Sequence, residues 1–219
     1  MYNYDDSGRL MSIIDNTVIP TVTSYAFGRT TMEYDSQGRL SQIENLIEPT
    51  NNNPVLTFYY RTTYDYDANS NIVAIKKYKV FKSDPAHPFL QEDSKLTYGS
   101  TVFPVKIDTK INDGSQFDPE LDFTQEYTYS AGNVVEVKRT DRPTHYNGYN
   151  TYTTSQVLQY DDKPNPFYGL IIGSPDVSTF SKNNVIESTR LYTYDTNGLL
   201  SKIALRDGTS ETTYEYESY

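Results

Sequence analysis

Five aspartates, Asp5, Asp35, Asp67, Asp161 and Asp195, each follow a tyrosine at nearly regular intervals along the chain. Carboxylates repeated in this way suit Ca²⁺, which takes several oxygen ligands, if neighbouring segments bring them together. The same residues suit the first position of a tight turn, where the carboxylate accepts a backbone N–H two residues on. Arg9 and Arg39 can balance two of them, and the turn role is the expectation. A second acidic series, Asp108, Asp113, Asp118 and Asp122, lacks the EF-hand spacing and its closing Glu, and is expected to be solvated loop. His87 and His145, the 2 histidines, lie in Pro-containing loops, outside any metalloprotease, serine-hydrolase or phosphate-loop pattern. With 0 cysteines, disulfides and thiolate metal sites are excluded. A carboxylate pair for glycoside hydrolysis is conceivable among 29 acidic residues, but nothing singles one out. The expectation is a protein that is not an enzyme and has no cofactor and no metal site.

Aromatic residues offer a different chemistry. The chain has 22 Tyr and 9 Phe in 219 residues. Rings stack on sugars or peptide segments and phenol hydroxyls orient them; the plainer alternative is an aromatic ladder buried in a sheet. If a ligand is bound, Tyr64, Tyr127, Tyr192, Tyr194, Phe167 and Tyr168 are the expected contacts, with a glycan or peptide as partner. Nucleic acid is not expected, because a net charge of −10 and a pI near 4.6 oppose phosphate binding.

The elements that must position these residues are legible in one stretch, Tyr192 to Ile203 (YTYDTNGLLSKI). Alternating residues flank an Asp-x-x-Gly turn, which suits a β-hairpin whose left-handed Gly makes a bulge. The second Tyr of the unit recurs at positions 4, 34, 66, 98, 129, 160, 194 and 216, spaced by 30, 32, 32, 31, 31, 34 and 22 residues. Such a period marks a repeated supersecondary unit. At Tyr66 the copy has Ser70 in place of Gly, beside Asn69 and Asn71; at Tyr129 (YTYSAGNVVEV) it is one residue shorter, so its turn must be of another type. Two residues before each anchor stand Tyr2, Met32, Tyr64, Leu96, Tyr127, Leu158, Tyr192 and Tyr214, while polar residues such as Glu33, Asp65, Thr128 and Thr193 fall between. This period-2 pattern predicts an antiparallel sheet with one wet face. Leu10, Leu40, Ile72, Val134 and Leu200 fall on the opposite parity next to the turns, where a bulge can re-aim them.

Long strands are predicted over Val55–Asp67, Asn150–Asp161 and Asn184–Asp195, and turn-rich connections over Glu48–Pro54, Lys82–Ser94, Asn112–Leu121 and Asp141–Asn150. Helix should be limited to a turn or two. The chain is read as a single all-β repeat domain, residues 1–219. It forms an antiparallel meander of about 14 strands curled or closed into a barrel-like sheet, which hides its edges. Residues 161–184 (DDKPNPFYGLIIGSPDVSTFSKNN) form a non-repeat insertion. Its three Pro argue against a central strand, and its Phe167, Tyr168, Leu170, Ile171 and Ile172 need burial; a plug or flap packed on or in the sheet satisfies both. An integral membrane pore is not expected, because Glu33, Asp65, Lys106, Gln159, Lys202 and Glu215 fall on the outward parity. No signal-peptide pattern precedes the first unit, which points to a chain trimmed from a longer protein.

The YxYDxxGRLxxI unit resembles the YD repeats of Rhs and Tc-toxin shell proteins, which implies an array of β-hairpins. The combination of such units with Tyr160 to Phe167 (YDDKPNPF) and Ser181 to Asn184 (SKNN) is similar to uncharacterised secreted lipoproteins of Bacteroides with a porin-like fold. That resemblance implies a secreted or outer-membrane-associated location and a lipid anchor in the full-length protein. It transfers no site residue. The leading expectation is a non-enzymatic envelope or secreted protein that binds a glycan or peptide in an aromatic-lined concavity. A purely structural or assembly module with a filled interior, and a hydrolase, are the alternatives.

Overall fold

The computed structural model of the chain describes residues 2–15, 25–49, 58–112, 120–143, 150–171, 176–187 and 189–216, with side chains 15, 25–27, 47–49 and 120–121 left aside. Its strands are β1 (Tyr2–Tyr4), β2 (Leu10–Asp15), β3 (Tyr25–Tyr34), β4 (Leu40–Pro49), β5 (Phe58–Tyr66), β6 (Ile72–Phe81), β7 (Phe89–Tyr98) and β8 (Pro104–Asn112). There follow β9 (Glu120–Ser130), β10 (Asn133–Asp141), β11 (Tyr152–Val157), β12 (Tyr160–Pro164), the one-turn helix α1 (Val177–Phe180), β13 (Asn183–Val185), β14 (Arg190–Tyr194), β15 (Leu200–Leu205) and β16 (Glu211–Thr213). The fold is an all-β antiparallel meander. β1 to β11 form an 11-stranded sheet in sequence order with β1 and β11 at its two ends, so the sheet is open; β12–β13 and β14–β15–β16 form two further sheets. The chain divides into two compact units, Met1–Thr97 with Ile107–Phe123 and Arg142–Thr151, and Tyr98–Lys106 with Thr124–Asp141 and Tyr152–Tyr219.

In the first unit the repeat explains itself. Asp35 Oδ1 accepts the backbone N–H of Gln37 at 2.8 Å and of Arg39 at 2.9 Å, and Gly38 closes the turn at φ 79°. Asp5 and Asp67 do the same with residues two and four positions on. The second carboxylate oxygen takes the Arg of its own unit, Arg9 to Asp5 and Arg39 to Asp35, both at 2.7 Å, while Asn71 fills that role for Asp67 at 3.0 Å. Beyond the turn the register slips by one residue, pairing Tyr34 with Leu40 and Tyr66 with Ile72. That bulge returns these residues to the face of Met32 and Tyr64.

Successive units are joined by the second tyrosine. The Tyr34 hydroxyl donates to the Leu10 carbonyl at 2.8 Å, and Tyr66 to Leu40 at 2.7 Å. The guanidinium of the preceding unit lies over the same ring, Arg9 on Tyr34 at 4.9 Å and Arg39 on Tyr66 at 4.3 Å. Tyr-x-Tyr and Arg-Leu are therefore halves of one joint: the phenol satisfies a carbonyl beside the bulge, and the cation stacks on the ring that brings it.

The inward parity in this unit buries Met32 against Ile43 and Tyr64 against Ile75, with Leu96 and Ile107 also buried. Each such side chain contributes about 1.5–3 kcal/mol. The parity continues as small hydroxyl residues: Thr62 is buried, and buried Ser94 and Thr109 share a hydrogen bond of 2.9 Å. One expected connection is shorter than the sequence implies. Only Lys82 to Pro88 is turn, and Phe89–Ser94 belongs to β7, because Ser94 faces inward and Glu92 pairs with Lys77 at 3.1 Å across the ladder. Residues 55–57 lie outside the described residues.

In the second unit the Tyr129 hairpin turns through two residues, Ala131 (φ 51°) and Gly132 (φ 84°), both left-handed, as a type I′ turn requires. Tyr129 and Tyr160 repeat the joint by donating to the carbonyls of Pro104 and Val134, and Tyr216 donates to Leu200. The long strands expected over Asn150–Asp161 and Asn184–Asp195 are each interrupted. Leu158 is still buried and its N–H still reaches the Val135 carbonyl, but β12 then leaves the large sheet to pair with β13, and β14 begins anew at Arg190. The insertion, Asp161 to Asn184, thus carries its own two-stranded sheet and one helical turn.

Candidate functional site

Four of the five repeated aspartates, Asp5, Asp35, Asp67 and Asp195, take the turn role expected of them. Asp195 accepts the N–H groups of Asn197 and Leu199, both at 2.8 Å, as Asp5, Asp35 and Asp67 do in their units. Backbone N–H groups and their side-chain partners hold Asp5, Asp35 and Asp67 below the ordinary carboxylate range. Asp108 and Asp122 face Arg142 at 3.8 and 3.2 Å; Asp113, Asp118 and His145 lie outside the described residues. His87 is exposed and contacts Asp84 at 2.8 Å. Among the described residues no group of three or more His, Cys, Asp or Glu is placed to hold a metal.

Asp161 differs from the other four. No Asp-x-x-Gly turn follows it, and its carboxylate receives the Tyr194 hydroxyl, the Lys163 N–H at 3.0 Å and the Asn184 N–H at 3.2 Å. Tyr194 therefore meets a carboxylate where Tyr34 and Tyr66 meet a carbonyl. Burial and that carboxylate raise the Tyr194 hydroxyl above its ordinary range. The Asn184 side chain extends the network to the Pro164 carbonyl at 3.3 Å. Asn165, itself buried, donates to the carbonyls of Ser178 and Ser181 and accepts the Phe167 N–H at 2.9 Å. Asp176 caps α1 through the N–H groups of Ser178 and Thr179. These bonds set the positions of Phe167 on one side and of Val177 and Ser178 on the other.

Between them lies a cavity of about 310 Å³. Phe167, Tyr192 and Tyr214 give it aromatic surface; Val177, Val185, Leu200 and Ile203 give it aliphatic surface; Asn165, Asp176, Ser178, Asn184, Glu187 and Arg190 line the rest. Phe167 meets Tyr214 edge to face at 5.7 Å. Arg190 Nε forms an ion pair with Glu187 at 3.1 Å. Burial, then the Glu187 carboxylate, raises the Tyr192 phenol, with Arg190 opposing. The Tyr192 and Tyr194 phenols therefore stay protonated at neutral pH and serve as hydrogen-bonding groups. Size, aromatic surface and a few convergent polar groups are the attributes of a small-ligand site.

Of the six residues expected as contacts, Phe167 and Tyr192 line this cavity, and Tyr194 braces Asn184, which also lines it. Tyr64 is 5% exposed and belongs to the first unit. Tyr127 is 6% exposed with Phe180 edge to face on its ring at 5.4 Å, and burial raises its phenol, whose oxygen has no protein partner. Buried in this way, Tyr64 and Tyr127 offer no face to a ligand. Tyr168 packs on Phe103 at 5.1 Å, away from the cavity lining. Arg190 and Glu187 carry no sequence signal, whereas Tyr214 stood on the same parity as Tyr192.

No protein-family description matches the sequence, and no curated protein matches it. Among solved structures, a porin-like protein from Bacteroides uniformis is similar over 93% of this chain and 91% of its own, at 14% identity and a TM-score of 0.38. The Tc holotoxin pore of Photorhabdus luminescens is similar over 99% of this chain and 12% of its own, at 15% identity and a TM-score of 0.29.

Proposed function

We propose that the chain is a non-enzymatic β-repeat protein whose second unit binds a glycan or peptide in the cavity of Phe167, Tyr192 and Tyr214. The observation that carries this reading is the convergence of three aromatic rings on about 310 Å³ of space, in a repeat where Tyr34, Tyr66, Tyr129, Tyr160 and Tyr216 instead meet backbone carbonyls. The two carboxylates at the cavity already have structural partners, since Asp176 caps α1 and Glu187 holds Arg190. That favours recognition over acid–base chemistry, and so over a hydrolase. The hydroxyl–carbonyl joints support a structural role for the first unit, and the two roles coexist. The exposed parity, with Glu33, Asp65, Gln159 and Glu215, supports a water-facing sheet over a lipid-facing one. The setting we propose is secreted or envelope-associated, with a lipid anchor elsewhere in the full-length protein.

A glycan array combined with a thermal-shift screen of peptides tests the reading. Binding should appear and should fall at least about tenfold in Tyr192→Ala and Tyr214→Ala, since each removes a large aromatic contact, while circular dichroism stays unchanged. No binding by any glycan or peptide sinks it.

A further inference from the structure

The cavity has a neighbour. A second depression of about 470 Å³ shares Val177, Val185 and Glu187 with it and reaches Gln156 and Val157 at the end of β11. β11 stands at the end of the 11-stranded order and is exposed along its whole length, Val157 to 77%. Its register with β10 pairs Glu136 with Val157 through to Asp141 with Tyr152, and the next N–H, of Leu158, donates to Val135 at 3.0 Å. Since hydrogen-bonded pairs alternate along an antiparallel ladder, Gln156, Thr154 and Tyr152 bond to β10. The N–H and C=O groups of Thr153, Ser155 and Val157 then point away from it, towards the open edge.

We infer that the ligand of the aromatic cavity is an extended peptide that adds to β11 as a further strand and places an apolar side chain among Phe167, Tyr192 and Tyr214. This rests on the cavity reading and narrows it. A row of alternating donors and acceptors at strand spacing is matched by another peptide backbone, and a sugar has no such alternation. The cavity's aliphatic share, with Leu200 only 1% exposed and Ile203 beside it, suits a side chain, whereas sugars need polar groups around the ring. A net charge of −10, with Asp176 and Glu187 at the cavity, favours basic flanks on the peptide.

The probe is the blocked peptide Lys-Thr-Val-Thr-Trp-Thr-Val-Thr-Lys, in which Val, Trp and Val share a face. The protein has 0 Trp, so all Trp emission belongs to the peptide. Titration should give a blue shift and saturable binding. Methylating alternate peptide nitrogens on the pairing edge should weaken binding at least about tenfold, as should replacing Trp by Ser. Ser155→Pro, which removes the outward N–H together with an exposed 2.6 Å bond from the Ser155 hydroxyl to Glu136 and is tolerated on an edge strand, should do the same. The methylated peptide touches no protein residue, so it stands as a test even if that variant misfolds. Equal binding by the parent and methylated peptides overturns strand addition. Binding of cello- or chito-oligosaccharides without peptide binding also overturns it, and leaves the cavity reading intact. Silence from both probe classes overturns both.

Discussion

The Ala131–Gly132 turn offers a test whose sign reverses between adjacent residues. Ala131 has φ 51° and Gly132 has φ 84°, and a residue with a Cβ pays roughly 1–2 kcal/mol in that region. Ala131→Asn keeps a side chain but suits the left-handed conformation, so it should stabilise by about 0.5–1 kcal/mol. Ala131→Gly releases more strain but adds about 0.5–1 kcal/mol of unfolded-chain entropy, and should gain less than its strain relief. Gly132→Ala should cost about 1–2 kcal/mol from the backbone alone. Its new Cβ would also meet Lys182 Cδ at 3.0 Å, an exposed side chain that can move aside. The turn also supports the site, because the Lys182 N–H donates to the Gly132 carbonyl at 3.1 Å and Asn133 pairs with Asn183 through side-chain and backbone bonds of 3.1 and 3.0 Å. Urea unfolding followed by circular dichroism reads these changes as midpoint shifts at constant slope. Thermal midpoints should move by about 2–4 °C per kcal/mol for a chain of this size. If Ala131→Asn destabilises, or Gly132→Ala is silent, the strain argument for this turn is wrong.

Three further outcomes follow from the repeat. Ser70 occupies the glycine position at φ 66°, so Ser70→Gly should raise stability by about 0.5–1 kcal/mol, although it forfeits an exposed 3.2 Å bond from Arg39; a lower urea midpoint would contradict this. Tyr66→Phe leaves the Leu40 carbonyl without its donor and should cost about 1–2 kcal/mol, against almost nothing for exposed Tyr60→Phe, measured the same way. The carboxyls of Asp5 and Asp35 are held low chiefly by the N–H groups of Arg9 and Arg39, and that of Asp67 by Asn71. A folded-state pKa below the unfolded value of 3.8 means that their stabilisation is fully present above that value and is lost as pH falls through the folded pKa. Carboxyl NMR titration should place their midpoints below those of exposed aspartates, and Asp35→Asn should flatten the acid limb of the stability profile.

Most of the sheet was legible because its determinants are local. The Asp carboxylate and the positive-φ residue act within one turn, and alternation sets the face of Met32, Tyr64, Leu96 and Tyr127. The break after β11 was not legible, because Leu158, Gln159 and Tyr160 alternate through it as Tyr64, Asp65 and Tyr66 do in an unbroken copy. What ends β11 is a competing partner in β13, far along the sequence. The site was half legible for a related reason. Tyr64, Tyr127 and Tyr192 share a parity and a local motif, and differ in what sits opposite: Phe180 closes over Tyr127, whereas the space beside Tyr192 stays open. Glu187 belongs to the connection from the insertion into the last hairpin, where no period reports a side chain's direction, and its partner Arg190 is the first residue of β14.

The hydroxyl–carbonyl joint has a consequence for how the chain avoids misfolding. A slip of one residue would turn Tyr34 or Tyr66 to the opposite face and put the carbonyl out of reach, so the joint acts as a proofreader of alignment. It cannot proofread identity, because the same hydroxyl–carbonyl bond recurs at Tyr34, Tyr66, Tyr129, Tyr160 and Tyr216. Tandem arrays of like units are prone to such wrong-neighbour pairing. The departures from the consensus, Asn71 in place of Arg, Ala131–Gly132 in place of the longer turn, and Asp161 as the acceptor for Tyr194, give individual units distinct mating surfaces. They let a nearly periodic chain keep count of where it is.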